Sequence, residues 1–314
     1  MSEAAGLHVV LGAAGGIGSS LVRELQARGR PVRAVARSAP DLPPGVEAFA
    51  ADLSDPAASR EACRGAAVVY HCAQPAYPRW AKEFPSLNDS ILGGAAAAGA
   101  RLVVADNLYM YGPVEGPLTE SSPQTPPSRR GRLRRELAER LLDAHHSGLV
   151  EVAIGRAADY FGPRGRNSVV GDLVFIPAVE GHRARWLGRL DRPHTLQYLE
   201  DVARGLAMLG ERDEAFGGTW HLPAADPVTG REFLELVFEE AGHRPQLGRV
   251  APWMIRVAGL WSPLVRALGE TIYQWSGAFV SDWSKFESAF GPSQVTPLRE
   301  AVARTVVWYR YGSR

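Results

Sequence analysis

The stretch LHVVLGAAGGIGSSLVRELQARGRPVRAVAR, Leu7 to Arg37, decides the fold. Leu7–Leu11 is a short apolar run. Glycines follow, then an amphipathic stretch Ser19–Arg28 that stops at Gly29, then a second apolar run across Pro31–Arg37. Strand, glycine turn, helix, strand is one βαβ unit. The glycines fall at Gly12, Gly15 and Gly18, spaced G-x-x-G-x-x-G, with Gly16 and Ile17 between the last two. A glycine pattern alone says little. Placed directly between a strand and the helix it opens, it allows a tight turn and a close approach of backbone to a pyrophosphate. The helix N-terminus then offers N–H donors and a positive dipole end to the phosphates.

The same rhythm continues outward. Strands are expected at Ala67–His71, Arg101–Ala105 and Val150–Ile154, and helices at Asp55–Arg64, Leu87–Ala98 and Arg132–His145. Strands alternating with helices at this spacing predict an α/β protein with a doubly wound, parallel Rossmann sheet. The reading assigns residues 1–163 to dinucleotide binding, with 195–230 returning to that part. Residues 164–194 and 231–314 form a smaller, mainly helical substrate-binding part. Within it Thr229 and Glu232 have capping-box spacing ahead of a helix that stops at Gly242. Asp201 is expected to cap another helix. Arg164–Pro193 has no clear assignment. The aromatic C-terminal segment Trp253–Trp283 reads as core packing or as a pocket or lid over a substrate.

The end of the second strand bears on which nicotinamide cofactor is bound. An acidic residue there would hold a ribose diol. Here the residues are Arg37 and Ser38, and a guanidinium suits a 2′-phosphate. NADP(H) is therefore preferred, with NAD(H) possible. Asp52 and Leu53 stand where an adenine edge would be contacted.

Composition narrows the partners. The 314 residues carry a formal net charge of +1, which gives no global field for nucleic acid or an anionic membrane. Of 35 basic residues only Lys82 and Lys285 are lysines, so 33 are arginine. The run Arg129–Arg135 reads as a solvated helix start. Two cysteines and eight scattered histidines supply no metal-ligand spacing. Neither a signal peptide nor a membrane span is legible, so a cytoplasmic protein is expected, without nucleic acid, membrane or metal and with a homodimer open.

Several segments together resemble the extended short-chain dehydrogenase/reductases of the NAD-dependent epimerase/dehydratase type. GAAGGIG resembles the glycine motif, and ADLSD the adenine-contact segment. HCAQP (His71–Pro75, including Ala73) resembles the H-x-A-A segment beside the cofactor, and RAADYFGP (Arg156–Pro163) resembles R-x-x-N-V-Y-G-P. The resemblance implies catalysis by Tyr-x-x-x-Lys and an upstream Ser or Thr. This chain departs from it. The tyrosine position holds Gly131, the lysine position Arg135 and the hydroxyl position Asn107, and no Tyr-x-x-x-Lys occurs anywhere. Tyrosine-less ketoreductases of aromatic polyketide biosynthesis show a similar departure. The expectation is thus an NADPH-dependent reductase of a bulky ketone that takes its proton from water or from the substrate. Asn107, Tyr109 and Tyr160 are the candidate catalytic residues, and Arg135 would reach ribose or phosphate. A silent NADP(H)-binding sensor is the alternative, and a nucleotide-sugar epimerase or dehydratase ranks lower.

Overall fold

The computed structural model describes residues 6–38 and 42–312. Its contacts divide the chain into two compact units. The first comprises the chain up to Asn107, Leu133–Arg156 and Val202–Leu222; the second comprises Leu108–Arg132, Ala157–Asp201 and the chain from Pro223 onward. Leu108–Arg132 and Ala157–Pro163 thus pack with the second unit, although the sequence reading placed everything to residue 163 in the dinucleotide-binding part.

The first unit is a seven-stranded parallel sheet. Its strands are β1 (Leu7–Leu11), β2 (Val32–Ala36), β3 (Glu47–Ala50), β4 (Ala66–His71), β5 (Arg101–Asn107), β6 (Val152–Ala157) and a short seventh, Thr219–His221. They lie in the order seventh–β6–β5–β4–β1–β2–β3, so the strand order reverses between β1 and β4. In such a sheet ligands bind beyond the carboxyl ends of the strands at that reversal. The register sets Val9 between Arg33 of β2 and Val69 of β4. β1 buries four of its five residues, and β6 buries all six, as expected of strands covered on both faces.

The helices of the winding are α1 (Gly16–Ala27), α2 (Pro56–Cys63), α3 (Trp80–Ala98), α4 (Arg129–His146) and α6 (Leu199–Glu211), with α5 (Asp172–Val179) falling in the second unit. Two boundaries differ from the expectation for physical reasons. α3 starts seven residues earlier than Leu87, running through Pro85, because Trp80 and Phe84 bury their rings and anchor that first stretch. β5 continues through Asp106 and Asn107, beyond the expected end at Ala105, because the Asp106 carboxylate is buried against arginines. Asp201 does not cap a helix: it lies inside the first turn of α6 and accepts from the Thr296 amide and hydroxyl at 3.0 and 2.7 Å.

The second unit holds α5, α7 (Gly230–Ala241), α8 (Pro252–Ala258), α9 (Pro263–Gly269), α10 (Ser284–Phe290) and α11 (Leu298–Tyr311), with several two-stranded pairings. The segment left unassigned provides α5 and the strand Ala184–Leu187, which pairs with Leu247–Val250. Thr229 and Glu232 form the expected capping box on α7, and Gly242 ends it in the left-handed conformation. The core is aromatic: Phe161 packs edge-on against Phe233 and Trp186 edge-on against Trp275. Trp275 and Phe279 are buried, whereas Trp253 and Trp261 are exposed.

Candidate functional site

At the end of β1 the chain turns at Gly12 with φ +86°, a conformation L side chains rarely adopt. A Cβ there would lie 2.7 Å from the backbone N and Cα of Ala73. The turn after β1 therefore runs against the segment after β4, at the place where the strand order reverses. A Cβ on Gly18 would strike the Gly12 carbonyl oxygen and stand 3.0 Å from the Ala13 Cα. These two positions require glycine. Gly15 does not on packing grounds, since a Cβ would find only the Gly12 oxygen at 3.4 Å. It stands at the N-cap of α1 with no side-chain acceptor, and the first turn carries no acidic residue. The leading N–H groups of α1, at Gly16, Ile17 and Gly18, have no intrahelical partner to accept them, which is the arrangement an anion uses.

Arg37 and Ser38, just past the end of β2, are exposed. Asp52 is exposed as well, and its carboxylate accepts from the Ser54 amide at 3.0 Å and the Ser54 hydroxyl at 2.7 Å. Those bonds hold it below the usual carboxylate range, with a smaller contribution from the Arg37 charge. Leu53 beside it is buried. The Cys72 amide donates to the Leu11 carbonyl at 2.9 Å, fixing the chain just before Ala73. Burial pushes the Cys72 thiol up to about 12, so it is no nucleophile.

The catalytic candidates fall in different units. Asn107 closes β5 and, like Arg135 on α4, belongs to the first unit; Arg135 pairs with Glu139 one turn on, at 3.5 Å. Tyr109, Gly131 and Tyr160 belong to the second. Tyr109 is half-buried, its carbonyl accepting from the Tyr273 hydroxyl at 3.4 Å. Tyr160 is half-buried in the strand Asp159–Phe161, in register with Gln197. Gly131 is the most telling. A Cβ there would clash with the Pro126 Cβ, stand 2.5 Å from the Tyr109 carbonyl oxygen and 3.1 Å from the Ser128 Oγ. The position is closed to any side chain, and the Gly131 amide donates to the Ser128 hydroxyl at 2.9 Å at the start of α4.

Two groupings were not read from the sequence. Behind Asn107, Asp106 meets Arg134 of α4 at 3.3 Å and Arg156 of β6 at 3.4 Å, with all three side chains at most 9% exposed. The Arg134 guanidinium lies 4.6 Å from the ring centres of both Trp80 and Phe84. His71, Asn88, Asp106 and Arg134 line a cavity of about 10 Å³, the space of one water molecule. Burial, then the nearby Arg134 charge, lowers His71 to about 3 and keeps it neutral. The expected solvated arginine run thus fails at Arg134, which is buried, and at Arg130, which pairs with Glu270 at 2.6 Å. In the second unit His194 bonds Asp159 at 2.8 Å and stacks on Trp275. The only signal for either grouping was a charged residue at a strand end.

Residues 8–221 match the NAD dependent epimerase/dehydratase family. The chain belongs to that family. Its members are NAD-dependent enzymes of oxidoreductase type. An uncharacterized protein of Sinorhizobium fredii, y4nL, is 25% identical over 93% of this chain and 86% of its own length. Among solved structures, MoeE5 in complex with UDP-glucose and NAD is 24% identical, covering 98% of this chain and 100% of that one, with a TM-score of 0.77. A double mutant of the dTDP-glucose 4,6-dehydratase DesIV from Streptomyces venezuelae, with NAD and DAU bound, is 22% identical over 97% of both chains at 0.79. The UDP-N-acetylglucosamine 4-epimerase of Bacillus cereus is 15% identical, covering 97% and 96%, at 0.78. At these identities the likeness is one of fold.

Proposed function

We propose that this protein is an NADP(H)-dependent ketone reductase that works without a tyrosine acid. The observation that carries the reading is a contrast between two glycine sites. At Gly12 and Gly18 packing requires glycine ahead of α1, while a Cβ at Gly131, the position that the resemblance gives to the family's tyrosine, would clash. The cradle suits the cofactor: the glycines clear space for a pyrophosphate and the first turn of α1 offers its amides. Arg37 and Ser38 hold the 2′-phosphate, Asp52 and Leu53 border the adenine, Ala73 lies beside the cofactor, and Arg135 takes ribose or phosphate.

The bound nicotinamide supplies the hydride. Asn107 donates an amide hydrogen bond to the substrate oxygen, as an oxyanion donor does. The proton comes from water or from a hydroxyl that the substrate already bonds to its own carbonyl. A lost general acid forfeits about 10²–10⁴-fold in rate, a handicap that an internally hydrogen-bonded ketone offsets. Polycyclic aromatic ketones of polyketide type are such substrates. Epimerisation or dehydration of a nucleotide sugar, the chemistry named for the neighbours, fits less well because the family performs it with the absent tyrosine.

The test is NADPH oxidation with polycyclic aromatic ketones that carry, or lack, a hydroxyl beside the carbonyl. Turnover is expected only with the first set. It survives Tyr109→Phe and Tyr160→Phe and falls with Asn107→Ala. A tyrosine variant that abolishes turnover would identify a relocated acid. NADPH binding without turnover on any ketone would leave the chain a cofactor-binding sensor.

A further inference from the structure

The helical hairpin α8–α9 turns its apolar side outward. Trp253 and Val257 recur at i and i+4, on one face of α8, and Leu260 follows in the turn after it. These three are exposed, at 65%, 47% and 68%, whereas Ile255, on the other side of α8, is buried and anchors the helix. Trp261 at the tip is 77% exposed, and Met254 and Leu264 are also exposed. Exposed apolar side chains gathered on one hairpin mark an interaction surface. The tip is fixed in place: the Arg266 guanidinium donates to the carbonyls of Gly259 and Leu260 at 2.8 and 3.2 Å. Ser262 caps α9 by accepting from the Val265 amide at 3.3 Å.

Along the chain, this segment carries charge of one sign. From His243 to Gly269 there is no Asp or Glu, while Arg244, Arg249, Arg256 and Arg266 all lie in that stretch. The next acid, Glu270, is held by Arg130. The near-zero net charge of the whole chain conceals this local excess. A two-fold contact confined to the hairpin would bring two sets of the same arginines together, with no carboxylate from the hairpin to neutralise them. Exposed tryptophans flanked by arginines suit an anionic bilayer surface, where indole rings enter the headgroup region and guanidiniums meet phosphates.

We propose that the α8–α9 hairpin docks this protein on the surface of an anionic membrane, inserting Trp253, Leu260 and Trp261 without crossing it. No helix among the described residues is long and apolar enough to span. The docking is independent of the cofactor and of the reaction proposed above.

The experiment is co-sedimentation of the full chain with vesicles of phosphatidylcholine alone and of equal parts phosphatidylcholine and phosphatidylglycerol. Wild type is expected to sediment with the anionic vesicles, weakly with the neutral ones, and to be released by high salt. The double substitution Trp253→Ser/Trp261→Ser should weaken binding at least tenfold and Arg256→Glu about thirtyfold at low salt. Both should leave circular dichroism, melting temperature and NADPH affinity unchanged. The proposal is overturned if wild type ignores anionic vesicles, or if the tryptophan variant binds them equally well. It is also overturned if that variant converts a dimer to a monomer in gel filtration, because the patch would then be a self-interface.

Discussion

The closed position at Gly131 can be tested with one substitution made twice. Gly131→Ala adds a methyl group that must stand 2.5 Å from the Tyr109 carbonyl oxygen and clash with the Pro126 Cβ. Relief needs a backbone shift of about 1 Å or loss of the Ser128 bond to the Gly131 amide, and overpacking of this kind costs about 1–3 kcal/mol. Gly93 is also a helical glycine, exposed within α3, and a Cβ there meets nothing within 4 Å. Gly93→Ala should instead stabilise by about 0.5–1 kcal/mol, the usual preference of a helix interior for alanine over glycine. At about 2–4 °C per kcal/mol for chains above 150 residues, the first variant should melt about 2–12 °C lower and the second about 1–4 °C higher. The sites lie in different units, so calorimetry is the assay of choice because it reports both transitions. The variant Gly131→Tyr/Arg135→Lys, which rebuilds the family motif, should fold worse still and gain no activity. A Gly131→Ala protein as stable as wild type, or a rebuilt motif that raises turnover, would refute the claim that packing excludes the tyrosine.

Three further outcomes follow from the same geometry. Arg37→Ala should raise the Kd for NADPH roughly tenfold to a hundredfold, the worth of charge-assisted hydrogen bonds, with little change for NADH; equal losses for both cofactors would remove the 2′-phosphate role. Asp106→Leu leaves Arg134 and Arg156 buried without their carboxylate, and removing one partner of a buried ion pair costs about 3–5 kcal/mol. Urea unfolding should show that loss, with partial recovery in Asp106→Leu/Arg134→Met; a loss below about 1 kcal/mol would mean the cluster is solvated. His8, lowered to about 4 by burial and then by Arg30, and His71, lowered to about 3, are both neutral in the fold. Below pH 6.5 the unfolded chain binds protons that the folded chain refuses, so stability falls as pH drops from 6.5 towards 4 and is flat above it. Melting temperatures across that window should drop less steeply in His8→Gln/His71→Asn, and an unchanged slope would assign the acid sensitivity elsewhere.

The sheet was legible because two periodicities and a run of glycines agree from Leu7 to Arg37, and local pattern is what a doubly wound sheet is made of. α7 was legible down to its caps because a capping box is a local signal. Asp201 looked like another cap and was not. Its partner Thr296 lies 95 residues away, and no local pattern announces a contact that distant. Arg134 misled for a related reason. In a run of arginines the sequence cannot show which one points inward, and what turns Arg134 in is Asp106 from β5 with Trp80 and Phe84 from α3. The sequence shows a glycine at 131, but only three-dimensional packing shows that a Cβ there would clash.

The departures from the family motif are not independent of one another. Asp106 alone, buried at the end of β5, would be a costly isolated carboxylate, and Arg134 alone on α4 a costly isolated cation. Together, with Arg156, they form a cluster that ties the end of β5 to α4 and β6. Asn107 is the next residue after Asp106, and Arg135 the next after Arg134. The cluster therefore lies next in the chain to both of the residues proposed above as working groups, Asn107 and Arg135. On the proposed function, Asn107→Ala is the substitution in which activity and stability should separate, because Asp106, not Asn107, carries the buried ion pairs.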